Sequence, residues 1–489
     1  MQEIGTSLVS PVSSTVSPVA PAGQQAQLAP AARRRFVALS LIAGDLATVT
    51  IVVGLLELVA GSEGSGSIGL WLVWSTVALA AFALAGLHGS GISEPVDRLR
   101  RRSLANLVAA VLLVSLTGAG GLASGLGPFA IAFGTLLAIP LGYYIDALVR
   151  GFLIRRGVWA AATALYGSMA ACAVLARNLG ERPDLGLRPV AILADEWDRI
   201  AAPTQLAGLP VITPEQANIA AQQIEVALCA SGEMPAEEPT WLSRLPLRRI
   251  YTVHDAHVHR SLHLRTLSIG DAFGLELKSP IHMSHNLRLK RAIDLLVALP
   301  ACLLALPVIA VLALMVKLTD GGPAFYAQPR IGRNGRIFKV YKLRSMFVDA
   351  EARLAAHLAE SPQAKLEWER FFKLREDPRI LPVVGSFIRK TSADELPQLW
   401  NVLRGEMSVV GPRPFPEYHS ERFDKRFQAL RTSVPPGLTG LWQVTDRSDG
   451  DLAVQKRQDS FYIHNWSFWL DLYVLLQTVP VVLAARGAR

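Results

Sequence analysis

Asp394 and Glu395 are adjacent carboxylates, with Arg389 shortly before them and Arg413, in Gly411-Pro412-Arg413-Pro414, after them. Carboxylate oxygens suit a hard divalent cation, and a guanidinium matches phosphate oxygens two at a time. Such a group suits a site that handles phosphate and a divalent cation. The apolar run between the two arginines carries Trp400 and reads as helical.

A plainer account competes. Ser392-Ala393-Asp394-Glu395 fits a capping box, with Glu395 reaching back to the N-cap amide. Acids in a first helical turn also offset the helix dipole. On local sequence alone the cap is the simpler account. Pro397 moves the expected helix start toward Asp394, because proline is tolerated in a first turn and costs more beyond it. That puts both carboxylates at a helix mouth, itself a ready anion site.

The elements that must hold these residues belong to a chain of 489 residues, 51% hydrophobic and carrying a net charge of +9. Its mean hydropathy is +0.31. More than one domain is expected, and membrane spans are sought first. A basic excess in a membrane protein sits on cytoplasmic segments or meets phosphorylated ligands. Cys172, Cys229 and Cys302 match no zinc or redox spacing, so they read as reduced, buried small hydrophobes.

Residues 1–32, rich in Ser, Pro, Ala and Gln, read as a disordered tail and not as a secretory signal. Four apolar runs follow, Phe36–Ala60, Gly69–His88, Ser103–Ala123 and Pro128–Val149, each near the roughly 20 residues that cross a bilayer. Arg33–Arg35, the cluster Arg98 to Arg102, and Arg150 to Arg156 lie before, midway and after; the other two loops carry no Lys or Arg. Both ends of this four-span unit (33–150) are therefore expected on the cytoplasmic side. Asp45, Glu57 and Asp146 fall in or near these spans and are functional candidates, with helix packing an equally good account for Glu57 and Asp146.

From 151 to 265 short strands at Ala161–Tyr166, Pro189–Leu193, Pro210–Ile212 and Ile224–Ala230 alternate with a helix over Met169–Asn178, which suggests a small parallel α/β, Rossmann-like domain. Its first turn, Gly167 to Cys172, holds one glycine, so a bound nicotinamide or flavin is not expected. His254, His257, His259 and His263 crowd one segment without a recognised metal spacing and read as surface or linker residues. A linker spans 266–289.

The run 292–316 is long enough to cross a membrane. Pro300 and Pro307 interrupt it, and both flanks are basic, Lys290 and Arg291 before and Lys317 to Arg344 after. A helix that enters, breaks at proline and returns to the same face satisfies both facts, with an ordinary fifth span as the competing account. Alternating Phe338, Val340, Tyr341 and Leu343 suggest short strands bearing cations, and Asp349–Arg375 reads as amphipathic helices. Asp377-Pro378-Arg379 is a turn, Leu441–Val444 a strand, and Asp459–Tyr462 helical. The run 468–484 opens beside Trp466 and Trp469, which suit a membrane interface.

From Lys290 onward the sequence resembles the bacterial sugar transferase family, membrane phosphoglycosyl transferases with a re-entrant helix. The resemblance rests on Lys290-Arg-x-x-Asp294, Pro307, Gln328-x-Arg-x-Gly332, Lys342-Leu-Arg-Ser-Met346, Asp394 through Ser408, Val410-Gly-Pro-Arg-Pro414 and Pro436-Gly-Leu-Thr-Gly440-x-Trp-Gln-Val444. With the front half, it points to the large subfamily that primes exopolysaccharide, capsule or O-antigen synthesis, such as undecaprenyl-phosphate galactose phosphotransferases. The implied fold is an α-helical domain of four spans, a Rossmann-like α/β domain and a mixed α/β catalytic domain over 290–489.

The implied reaction is ping-pong. Asp394 attacks the β-phosphate of a UDP-hexose and releases UMP, and undecaprenyl phosphate then takes the phosphosugar. Glu395 would hold Mg²⁺. Arg389, Arg413, Lys342 and Arg344 would bind substrate phosphate, Asp459 and Tyr462 would support the site, and Pro307 would break the re-entrant helix. Galactose is the first expectation for the sugar and glucose the second. The expected location is the bacterial inner membrane, with the N-terminus and catalytic domain cytoplasmic, a homodimer by analogy, and no nucleic-acid partner. Leu306, Pro435 and Thr445-Asp446-Arg447 depart from common family residues. Two other classes compete: a non-enzymatic membrane scaffold or sensor in polysaccharide assembly, and a sugar-nucleotide dehydratase or epimerase. The intact Asp394–Glu395 pair argues against the first and the glycine-poor turn against the second.

Overall fold

The computed structural model describes residues 29–60, 67–89, 94–118, 128–194, 204–213, 224–231, 249–254, 264–269, 272–277, 281, 283–371, 374, 377–445 and 452–483. The chain divides into two compact units, 1–256 and 257–489.

The first unit opens with four helices: α1 (Pro30–Ala60), α2 (Ser67–Leu84), α3 (Pro95–Gly118) and α4 (Pro128–Arg155). Val52, Leu56, Trp74, Phe82, Leu113 and Ile131 form their shared core. Gly134 lets α4 come close, since a Cβ there would lie 2.6 Å from the Trp74 ring. Outward faces remain apolar, with Leu58, Leu84, Phe129 and Leu148 exposed. Of these helices α1 and α4 are long and apolar enough to cross a membrane. The second helix ends at Leu84, short of the expected His88. The third spends its first turns on Arg98 to Arg102. Asp45 and Asp146 serve packing: Asp45 meets Arg102 at 2.5 Å and His88 at 2.8 Å, and Asp146 meets Arg102 and Arg150 at 3.1 and 2.7 Å.

After α4 comes an α/β module: β1 (Ala161–Gly167), α5 (Met169–Glu181), β2 (Leu187–Leu193), β3 (Gln205–Leu206), β4 (Leu209–Ile212), β5 (Val226–Ser231) and β6 (Arg249–His254). The sheet order is β3-β4-β2-β1-β5-β6, parallel apart from the β3–β4 pair. The near-continuous apolar run of β1 follows from its central place, buried on both faces. Ser168 caps α5 by accepting from Ala171 N at 3.3 Å. Of the four histidines, His254 ends β6, and His257, His259 and His263 lie outside the described residues.

The second unit begins with a hairpin, β7 (Leu264–Ile269) and β8 (Ala272–Leu277), where a linker was expected. Leucine, isoleucine and phenylalanine in two short runs supply the strand pattern. Then come α6 (Ser284–Asp320), the antiparallel pair β9 (Phe325–Ile331) and β10 (Ile337–Leu343), α7 (Ala350–Glu360), α8 (Pro362–Phe371), α9 (Val384–Lys390), a 3₁₀ turn over Ala393–Glu395 and α10 (Gln398–Arg404). They are followed by β11 (Ser408–Val410), α11 (Glu417–Ser420), α12 (Lys425–Thr432), β12 (Gly437–Thr439), α13 (Leu441–Thr445), α14 (Leu452–Asn465) and α15 (Phe468–Leu483).

Leu441–Val444 and Trp466 both depart from what their sequence suggests. Leu441–Val444 is helical because its tight glycine entry, Gly440, starts a turn in which Gln443 N bonds Gly440 O at 3.0 Å. Trp466 is 2% exposed, its indole N–H donating to Asp471 at 3.0 Å. It is a core residue.

Helix α6 runs through Pro300 and Pro307 as a single element of 37 residues. Lys290, Asp294, Ala298, Ala305, Leu312 and Val316 are buried at helical spacing, while Leu296, Leu299, Leu303, Leu304 and Leu318 are exposed. Both ends are fixed within the same unit. Asp294 accepts from Ser408 Oγ at 2.8 Å and Val409 N at 2.9 Å, and Arg291 donates to the carbonyls of Val402 and Leu403. At the other end Asp320 pairs with Arg344, and Leu312 and Val316 pack against Leu343, Leu381, Val384 and Ile388.

Candidate active site

Asp394 and Glu395 lie on the 3₁₀ turn, ahead of α10 and not within its first turn. Ser392 takes a left-handed backbone (φ 56°) and its side chain caps nothing, so the expected capping box is absent. Pro397 stands immediately before α10 and moves the helix start to Gln398. The turn leaves both carboxylates partly exposed, 20% for Asp394 and 17% for Glu395.

Lys342, on β10, reaches this turn. Its Nζ lies 3.3 Å from Asp394 Oδ2 and 3.0 Å from Glu395 Oε1. Arg413 Nη2 meets the same Glu395 oxygen at 3.0 Å. Thus two cations converge on Glu395 and one on Asp394. Burial holds the Asp394 carboxyl above the usual carboxylate range; Lys342 lowers it and Glu395 raises it further.

Arg413 is aimed by its surroundings. Its carbonyl accepts from Arg431, and Arg431 Nε lies 2.7 Å from Asp459 Oδ2. The Arg431 guanidinium also stacks 3.5 Å over the Phe415 ring. A pocket beside Arg413 is lined by Gly332, Phe415, Phe427 and Arg431. Asp459 therefore acts through Arg431. Tyr462, fully buried on α14, places its hydroxyl 3.0 Å from Val410 O and 2.7 Å from Asp471 Oδ1. It braces the strand that leads into Gly411-Pro412-Arg413.

Close backbone approach completes the frame. Strands β11 and β12 pair in parallel, and Gly411 N donates to Thr439 O at 2.9 Å. A Cβ on Gly411 would lie 2.7 Å from Pro435 O and 2.9 Å from Gly437 N. The glycines of the two motifs thus serve one junction.

One predicted phosphate ligand stands elsewhere. Arg344 binds both oxygens of Asp320 and also the carbonyls of Pro323 and Met346. That guanidinium is engaged in fixing the end of α6. Arg389, half-buried on α9, has no ion pair with the Asp394–Glu395 turn among the described residues, and its charge acts on Asp377. Pro307 lies within α6.

The sequence reading passed over Asn401, Arg431 and Asp471. Asn401, wholly buried, donates to Lys339 O and Glu406 and accepts from Tyr341 N, tying α10 to the strand that carries Lys342. A polar residue inside an apolar run was the available signal for Asn401 and Asp471, and the charged segment around Arg431 offered none. No group of three or more metal-type side chains converges among the described residues. The adjacent carboxylates of Asp394 and Glu395 remain as a two-residue donor set.

A lysine and an arginine grip paired carboxylates on a unit that carries a long apolar helix, an arrangement suited to charged phosphate groups. Residues 285–485 match the family model described as bacterial sugar transferase. A UDP-galactose-lipid carrier transferase of Erwinia amylovora is 36% identical over 365 residues, covering 72% of this chain and 74% of the relative. An undecaprenyl-phosphate galactose phosphotransferase of Salmonella typhimurium is 35% identical over the same length, with 72% and 74% covered. A UDP-glucose:undecaprenyl-phosphate glucose-1-phosphate transferase of Escherichia coli is 28% identical over 450 residues, with 88% and 92% covered. The chain belongs to the bacterial sugar transferase family.

Proposed function

We propose that this protein transfers a hexose-1-phosphate from a UDP-hexose to undecaprenyl phosphate, the priming step of a surface polysaccharide. The observation that carries the reading is the Lys342–Asp394–Glu395–Arg413 cluster. In the first step an Asp394 carboxylate oxygen bonds to the β-phosphorus. The bond from that phosphorus to the oxygen bridging the two phosphates breaks, and UMP leaves with that oxygen. In the second, an undecaprenyl phosphate oxygen attacks the same phosphorus and frees Asp394. Undecaprenyl-diphosphate hexose is the product.

Lys342 and Arg413 neutralise charge that builds on the phosphoryl oxygens. Glu395 holds both cations in place. A magnesium ion is commonly held by one or two carboxylates plus substrate phosphates, without a full protein cage, and Glu395, beside the attacking Asp394, suits that mode. When bound, it would supply further neutralisation of phosphate charge.

The proposed donor sugar is galactose, ahead of glucose, because two of the relatives above are named for galactose and one for glucose. The membrane reading has four spans with both ends cytoplasmic, as the arginine distribution favours. It also has a re-entrant α6. A helix of 37 residues is about 55 Å long if straight, well beyond a bilayer core of about 30 Å. Anchoring of both its ends in one unit favours return to the same face over a crossing. The Rossmann-like module is proposed as structural or regulatory, and the assembly as a homodimer in the inner membrane.

The test is UMP release by the full chain in nanodiscs with Mg²⁺ and a panel of UDP-hexoses, with and without undecaprenyl phosphate. Release with one hexose names the donor. Absence of release from every donor by folded protein overturns the reading.

A further inference from the structure

Tyr326, Gln328 and Arg330 alternate along β9 and so share one face of the hairpin. In the ladder Tyr326 stands directly opposite Lys342, and Arg330 opposite Phe338. Lys342 is the residue that grips Asp394 and Glu395, so this face is turned to the carboxylate pair. At the end of the strand Ile331 N donates to Phe415 O at 3.0 Å. That bond brings Arg330 beside the segment running from Arg413 to Tyr418.

Arg330 is half-buried, and its guanidinium bonds to Gln328 Oε1. No carboxylate ion-pairs with it among the described residues. Burial and the charge of Arg413 hold it below the usual arginine range, while Tyr418, Tyr326 and Glu395 act the other way. Lys342, Arg330 and Arg413 therefore face two carboxylates, leaving positive charge that a multiply charged anion would complete. Two large aromatic rings close to Arg330 are left in the open, Tyr326 at 51% and Tyr418 at 66% exposure. Exposed rings beside a phosphate site suit the flat face of a base.

Resting on the transferase reading, we infer that Arg330, framed by Tyr326 and Tyr418, binds the nucleoside-monophosphate half of the donor. The guanidinium takes the phosphate that departs with the nucleoside, and the phenol rings hold the base. Lys342 and Arg413, which touch the Asp394–Glu395 turn itself, are left for the phosphate that stays with the sugar.

The experiment compares KM for the UDP-hexose, kcat, and inhibition by UMP, using the full chain in nanodiscs. Arg330→Gln is expected to raise KM and the UMP inhibition constant together, each by about tenfold or more, with a smaller change in kcat. Arg330→Lys recovers part of this, since it keeps the charge and loses the fork. Tyr418→Ala weakens UMP inhibition by about tenfold, and Tyr418→Phe keeps it within about twofold of wild type. Because Tyr418 is exposed, its variants test the inference even where Arg330→Gln misfolds. Unchanged KM and UMP inhibition in folded Arg330→Gln and Tyr418→Ala, with wild type still releasing UMP, overturns this inference alone. Wild type releasing no UMP from any donor overturns the transferase reading instead.

Discussion

Asp471 Oδ2 and Lys290 Nζ lie 2.7 Å apart, with 4% and 2% of their side-chain surfaces exposed. The same carboxylate takes the hydroxyl of Tyr462 and the indole of Trp466. One buried group therefore ties the start of α6 to α14 and α15. Asp471→Ala leaves the Lys290 charge buried and alone, which costs about 3–5 kcal/mol. Denaturant unfolding of detergent-held protein should show a loss of that size. Lys290→Met together with Asp471→Leu should recover part of it, and a double variant no better than the worse single one would contradict the pairing.

Asp394→Asn should abolish UMP release and any covalent phosphosugar trapped from labelled donor. The fold should not suffer. The carboxyl of Asp394 is raised in the folded protein, so its ionised form at neutral pH subtracts from stability, a cost that disappears as pH falls below its ordinary value. Asparagine removes that cost, and Lys342 keeps Glu395 as partner. Tm should stay level or rise; a clear fall would mean that the ion pair stabilises the fold on balance.

The acid limb of kcat/KM should report Asp394. As pH falls through its raised folded value, the nucleophile takes up a proton and activity is lost, at a pH above the usual carboxylate value of about 4. Lys342 is the largest influence lowering that value. In Lys342→Met the limb should therefore move to higher pH, alongside a loss of rate. Movement to lower pH would remove Asp394 as the titrating group.

How much of this was legible in the sequence depends on how local each cause is. The Asp394–Glu395 pair stood out in the sequence as carboxylates flanked by guanidinium groups, Arg413 among them, whereas Lys342 entered only through the motif Lys342-Leu-Arg-Ser-Met346 that carries the family resemblance. Four strands of the α/β module, β1, β2, β4 and β5, were legible from short apolar runs, while β3 and β6 were not. Arg344 was read as a phosphate ligand because nothing local shows that Asp320, 24 residues earlier, takes its guanidinium just past the end of β10, while Lys342 within the strand reaches the carboxylates. Asp471 was hidden inside an apolar run that reads as a membrane segment, since its partner lies 181 residues away. The lone acid in an apolar run was a local trace, but nothing local named its partner.

Asp459→Asn should weaken donor binding without touching the nucleophile. Asp459 holds Arg431, and Arg431 holds the Arg413 carbonyl. With the charge of Asp459 gone, Arg431 stays buried and unpaired, a stability loss of about 3–5 kcal/mol. Arg413 loses its brace as well, so KM for the UDP-hexose should rise by more than kcat falls. An unchanged KM with only a lowered Tm would confine Asp459 to the fold.

Gly411→Ala tests the junction of the two glycine motifs. A methyl there would press on Pro435 O and the Gly437 amide, both backbone atoms that cannot turn aside. The strands would have to part, breaking the bonds from Gly411 N to Thr439 O and from Gly437 N to Pro412 O. Overpacking of this kind costs about 1–3 kcal/mol or more. Arg413, two residues on, would move off Glu395 with the strand. Both Tm and activity should therefore fall. Gly180→Ala, at a helical position with open space, should leave both unharmed and gain up to about 1 kcal/mol from helix propensity. Equal behaviour of the two variants would mean that the β11–β12 junction does not set the position of Arg413.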